Sequence, residues 1–158
     1  MTAPAALAAV LAVAVGAVAW ARPGHEPDPE PSPDLTAAEV VRVQVESLRE
    51  NGADDAGIAT AFRFASPGNR AATGPLPRFT RMVREGYSDM LGFERAEYGP
   101  ITLRDDMAAQ EVTFIQDDGR ATTYGFVLSR QSGGACDGCW MTDAVVPLDG
   151  RSDGLTRV

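Results

Sequence analysis

The spacing of apolar positions changes three times along the chain. Residues 3–21 are uncharged and almost wholly apolar, and residues 22–34 have no apolar period at all, with Pro at 23, 27, 29, 31 and 33. From Thr36 to Leu91 apolar side chains recur at intervals of three and four, and from Phe93 onward they alternate. A period of 3.6 marks helices and a period of two marks half-buried strands. Helices followed by a run of strands predict an α+β domain, in which three helices pack on one face of a curved antiparallel sheet of about four strands.

In the helical part, Thr36-Ala-Ala-Glu39 reads as a capping box, followed by Val40, Val41, Gln44, Val45 and Leu48 on one face. Gly52 offers a left-handed end to that helix. Asp54 and Asp55 are expected to cap a second helix that buries Ile58, Ala61, Phe62 and Ala65, and Ser66-Pro67-Gly68-Asn69 is expected to stop it. A third helix opens near Pro77, carries the stripe Phe79, Met82, Val83, Tyr87, Met90 and Leu91, and ends at Gly92. That stripe is expected to cover the strands that follow. Arg78, Arg81 and Arg84 lie opposite it, as a solvated face or as a site for an anion or partner, with Glu85 and Asp89 in helical reach.

Strands are predicted over 93–98, 111–115, 122–128 and 139–146, with Asp117-Asp-Gly-Arg120 as the hairpin turn between the second and third. Thr122, Tyr124, Phe126 and Leu128 share one face. Strict alternation in the last strand puts residues 140, 142 and 144 on one face and 139, 141, 143 and 145 on the other, which separates Trp140 from Asp143.

Outside the folded part, residues 1–21 end in the small-x-small sites Ala17-Val-Ala19 and Ala19-Trp-Ala21, as signal cleavage requires. The run lacks a basic N-terminal region and is nearly long enough to span a bilayer, so a retained anchor stands beside a cleaved signal, with a misassigned start as the third reading. Residues 22–34 form a Pro-rich acidic linker expected to be extended, 35–148 the domain, and 149–158 a disordered tail. The domain is expected outside the cytoplasm, touching membrane only through residues 1–21 if these are uncleaved. All fourteen basic residues are Arg, against 22 acidic ones, and the net charge is −8. An acidic chain repels phosphate backbones, which argues against nucleic-acid binding.

Cys136-Asp-Gly-Cys139 admits a local disulfide, two free thiols, a redox pair or half a zinc site. Zinc needs further ligands, and the chain has no third Cys and a single histidine, His25, in the linker. No resident metal or cofactor is implied, and chemistry that needs histidine is excluded. A redox pair belongs at a helix N-terminus, whereas this one follows Gly133-Gly134 and leads into a strand. An oxidising compartment favours the disulfide.

Ala61-Phe-Arg-Phe-Ala-Ser-Pro-Gly-Asn69, Phe79-Thr-Arg-Met-Val-Arg-Glu-Gly-Tyr87, Leu128-Ser-Arg-Gln131 and Gly138-Cys-Trp-Met-Thr-Asp-Ala-Val145 occur in an order that resembles domain of unknown function 4864, over about residues 36–148. The resemblance implies an N-terminal signal peptide and no established activity. The helices-then-strands order is similar to the nuclear-transport-factor-2-like or cystatin-like cone, a superfamily of isomerases, dehydratases, hydrolases and non-catalytic binding domains. Such a cone implies a pocket between helices and sheet, with Tyr87, Tyr98, Tyr124, Phe126 and Trp140 as candidate ligand-binding residues. Asp143, in an otherwise apolar strand, is expected to face solvent or pair with an arginine, as Asp residues mostly do. If buried, it is the candidate catalytic base, with Tyr87 or Tyr124 as proton donor. Non-catalytic binding of a small molecule or a protein is therefore the first expectation, and an isomerase- or dehydratase-type acid–base enzyme the second.

Overall fold

A computed structural model describes residues 28–148. The expected signal or anchor, the first linker residues with His25, and the tail from 149 lie outside the described residues. Among the described residues the fold is α+β, with four α-helices followed by a five-stranded antiparallel open sheet.

Helix α1 (Ala37–Arg49) begins as its sequence dictates. The backbone N–H of Thr36 donates to Glu39 Oε2 at 2.8 Å and that of Glu39 donates to Thr36 Oγ1 at 3.3 Å. Its face of Val40, Val41, Val45 and Leu48 is buried against Val112, Phe114, Phe126 and Leu128 of the sheet. The helix stops at Arg49, with Glu50 as its C-terminal cap, before Gly52 is reached; the left-handed residue in this connection is Asp55, at φ 58°.

Helix α2 (Ala56–Arg63) has Asp55 at its cap position, yet the Asp55 carboxylate does not cap it. The Asn51 side-chain oxygen accepts the Ile58 N–H at 3.0 Å instead, because Asp55 is engaged by Arg84. Ile58, Ala61 and Ala65 are buried as expected; Phe62 is only half-buried, and the fully buried phenylalanine is Phe64. The sequence Ser66-Pro-Gly-Asn69, expected as a stop, starts another helix, α3 (Pro67–Thr73). Ser66 Oγ accepts the Asn69 N–H at 3.2 Å and Pro67 occupies the first turn, where a missing N–H costs nothing. Helix α4 (Leu76–Gly86) ends a turn earlier than its stripe predicts, and Ser88–Met90 continue as a 3-10 turn.

Strands β1 (Arg95–Tyr98) and β2 (Thr102–Arg104) both pair with β3 (Met107–Ile115), which pairs with β4 (Ala121–Arg130), which pairs with β5 (Trp140–Pro147). Exposed throughout, β2 has no period to read. The turn at 117–120 forms as expected, with Gly119 at φ 82° and the Gln116 N–H donating to Arg120 O at 2.9 Å. Alternation fails in β5. Leu128 sits opposite Thr142 and Val127 opposite Ala144, so Asp143 is an extra residue, a β-bulge. Beyond it the faces exchange. Val145, not Ala144, lies opposite core-facing Phe126, on the side of Trp140 and Thr142.

Residues 28–34 rest on the domain rather than leading away from it. Arg63 binds Glu30 at 2.6 Å and Asp28 at 3.1 Å, and a Cβ added at Gly138 would touch Pro33 at 3.4 Å.

Candidate functional site: a cleft between α3, α4 and β5

The stripe of α4 does not close on the sheet. Only Val83 of that helix is fully buried, and Phe79 and Met82 face a cleft of about 430 Å³ bounded by α3, by the outer part of β5 and by Tyr87 and Met90. Leu48, Ala61, Ala65 and Phe126 supply more of its apolar lining. Phe62 backs this wall, its ring 5.0 Å from that of Phe79.

One residue organises the polar part of the wall. The Thr142 hydroxyl donates to Gln44 Oε1 at 2.6 Å, and Gln44 Nε2 donates to Ala61 O at 3.0 Å, both in buried surroundings. The Thr142 N–H donates to Phe64 O at 2.9 Å, while its carbonyl accepts the Ser66 N–H at 2.8 Å and Asn69 Nδ2 at 3.0 Å. The segment between α2 and α3 thus fastens onto β5 as one parallel bridge at Ala65, which covers that part of an open sheet edge. Further along, the Tyr87 hydroxyl donates to Val145 O at 3.4 Å, and Pro147, lacking an N–H, blunts the end of the strand.

Asp143 lines the same cleft and is half-buried. Among the described residues its side chain has neither a hydrogen bond nor an ion pair, and no hydrogen bond joins it to Tyr87 or Tyr124. The bulge places it there: as the extra residue it borders the cleft together with Thr142, Ala144 and Val145.

Of the residues singled out from sequence, Tyr87, Phe126 and Asp143 meet at the cleft. Tyr124 is buried behind Tyr87, with ring centroids 5.7 Å apart, and packs edge-on against Phe114. Trp140 is buried beneath Arg130, whose guanidinium lies 4.9 Å from the ring. Tyr98 is on β1, at the other end of the strand order from β5. Its hydroxyl is pushed up to about 12 by burial first and by the Glu46 carboxylate second. Sequence reasoning missed Asn69, Phe79, Met82 and Thr142 as cleft residues. A signal for the polar hub existed in Gln44, the one amide among the apolar positions of its helix face.

Cys136 and Cys139 are joined as a disulfide that closes the loop before β5, with Cα atoms 5.5 Å apart. Cys136 is half-exposed at the end of a short 3-10 turn and Cys139 is buried, apart from the cleft. Among the described residues there is no group of three or more side chains suited to hold a metal, and no helix is long and apolar enough to cross a membrane.

The arrangement suits enclosure of an apolar molecule, with one carboxylate at the wall. A family model described as "Domain of unknown function (DUF4864)" matches residues 32–153. No curated protein and no solved structure matches the chain.

Proposed function

The chain belongs to the DUF4864 family, and on that premise we propose that its folded part is a non-catalytic binding domain for a small, mainly apolar molecule. The carrying observation is the cleft of about 430 Å³, within the usual range for small-molecule sites, whose apolar lining comes from four helices and two strands. Its polar wall groups are largely bonded to one another through Thr142, which supports a preformed container. The finer architecture is a nuclear-transport-factor-2-like cone with the ligand between helices and sheet. The apolar residues 3–21 and the Cys136–Cys139 disulfide support a place outside the cytoplasm, where disulfides persist.

The acid–base reading rests on Asp143 and Tyr87 sharing one wall. Against it, the Tyr87 hydroxyl is turned to Val145 O and makes no hydrogen bond to Asp143. Loss of a measured turnover in Asp143→Asn, with the fold retained, would restore that reading.

Native mass spectrometry of the protein purified from its own host tests the proposal. Co-purification of a small organic mass, lost on widening Ala72 to Trp at the cleft, is the expected result. A protein that carries nothing and that takes up no apolar probe would overturn it.

A further inference from the structure

We infer that the molecule held in the cleft is an apolar amine whose protonated nitrogen is bound by Asp143. The inference rests on the binding reading above and names its ligand class. Among the described residues, Asp143 is the only ionisable acid or base in the cleft wall apart from the Tyr87 phenol. Its neighbours in the wall are already engaged: Thr142 with Gln44, Asn69 with the Thr142 carbonyl, and the Ser66 hydroxyl oxygen with the Asn69 N–H.

Among the described residues, the other half-buried carboxylates, Asp55 and Asp89, have arginine partners. Arg84 binds Asp55, Arg120 reaches Asp89 and Asp118, and Arg63 holds Asp28 and Glu30. Asp143 has no such partner among the described residues, although it is half-buried beside apolar surface. A ligand that covered this carboxylate without a counter-charge would strip its water and return nothing. An anionic ligand would add repulsion. A protonated amine supplies the missing charge-assisted hydrogen bond, while its hydrocarbon occupies the space between Phe79, Met82 and Phe126. The arginines of α4 do not argue for an anion, since Arg78 and Arg81 border a separate shallow groove with Glu85 that shares only Met82 with the cleft. The Tyr87 hydroxyl donates its own proton to Val145 O, and its oxygen lone pairs remain to accept a second amine proton.

Calorimetric titration of the full chain with octylamine, octanol and octanoate at neutral pH and low salt tests this. These probes share one hydrocarbon and differ in head-group charge. Octylamine is expected to bind about tenfold more tightly than octanol, the low end for a hydrogen bond to a charged group, and octanoate more weakly than either. Asp143→Asn and Asp143→Ser are each expected to reduce octylamine to the affinity of octanol and to leave octanol unchanged. Octanol binding without an amine preference, or a preference that survives both substitutions, overturns the amine inference and leaves the binding reading standing. Failure of all three probes to bind, or octanol binding undiminished in Ala72→Trp, overturns the binding reading and the inference with it.

Discussion

Helices α1 and α2 meet backbone to backbone, whereas α4 stands away from the strand it faces. A Cβ placed on Gly57 of α2 would lie 2.0 Å from the carbonyl oxygen of Ser47 in α1, so no side chain fits between them. Below that contact Val40, Val41, Val45 and Ile58 are wholly buried. On the other side, α3 has no buried residue and α4 has one, and Phe79 and Met82 remain half-buried around an open volume. Both halves are amphipathic. The period of a helix tells which face turns inward, but not whether a partner meets it there. In this domain α3 stands beside that gap, pinned to β5 through Ser66, Asn69 and Thr142.

Two phenylalanines, one from each half, give the largest contrast. Phe64→Ala empties a fully buried site and is expected to cost about 4 kcal/mol, whereas Phe79→Ala enlarges an existing cleft and is expected to cost about 1 kcal/mol. Urea unfolding of both variants measures the difference; equal losses would mean that the two halves are packed alike. Gly57→Ala is expected to cost about 3 kcal/mol by forcing α1 and α2 apart, since the clash is with backbone and no rotamer relieves it. A thermal midpoint within error of the parent chain would remove the close contact from the account.

At the seam between the halves, Thr142→Val leaves Gln44 Oε1 without its donor in a buried place, at an expected cost of about 2 kcal/mol. Adding Gln44→Leu is expected to recover part of that loss, and a double-mutant cycle reads the coupling directly. The smallest effect is electrostatic. Hydrogen bonds from Arg84 first and Asn51 second hold the Asp55 carboxyl below its ordinary value. Because the folded form binds its proton less readily, the Asp55 link stabilises at neutral pH, and its contribution fades as pH falls below about 4. Arg84→Gln is thus expected to be slightly less stable than the parent at pH 7, with the gap closing in acid. A gap that widens in acid would show that Arg84 acts through another group.

The α1 capping box, the hairpin at 117–120 and the core face of β4 were legible in the sequence because each depends on a short stretch of chain. Ser66-Pro67-Gly68-Asn69 was misread because the same residues that end one helix also cap and begin another. Half of the candidate site was legible: Tyr87, Phe126 and Asp143 reach the cleft, while Tyr98, Tyr124 and Trp140 are claimed by the core or by the opposite end of the sheet. The bulge at Asp143 was not visible. Strict alternation separates residues 142 and 143, and only pairing against β4 reveals the extra residue that brings both to one wall.

The methionines test the central claim directly, because Met82 and Met90 line the cleft while Met107 lies exposed on β3 and Met141 is buried elsewhere in β5. We would label their methyl groups with carbon-13 and follow their resonances as octanol is added. A binding cleft between α3, α4 and β5 predicts saturable shifts of Met82 and Met90, with Met107 and Met141 unmoved. Shifts at Met107 with Met82 and Met90 unchanged would place the apolar site on the sheet and contradict the account.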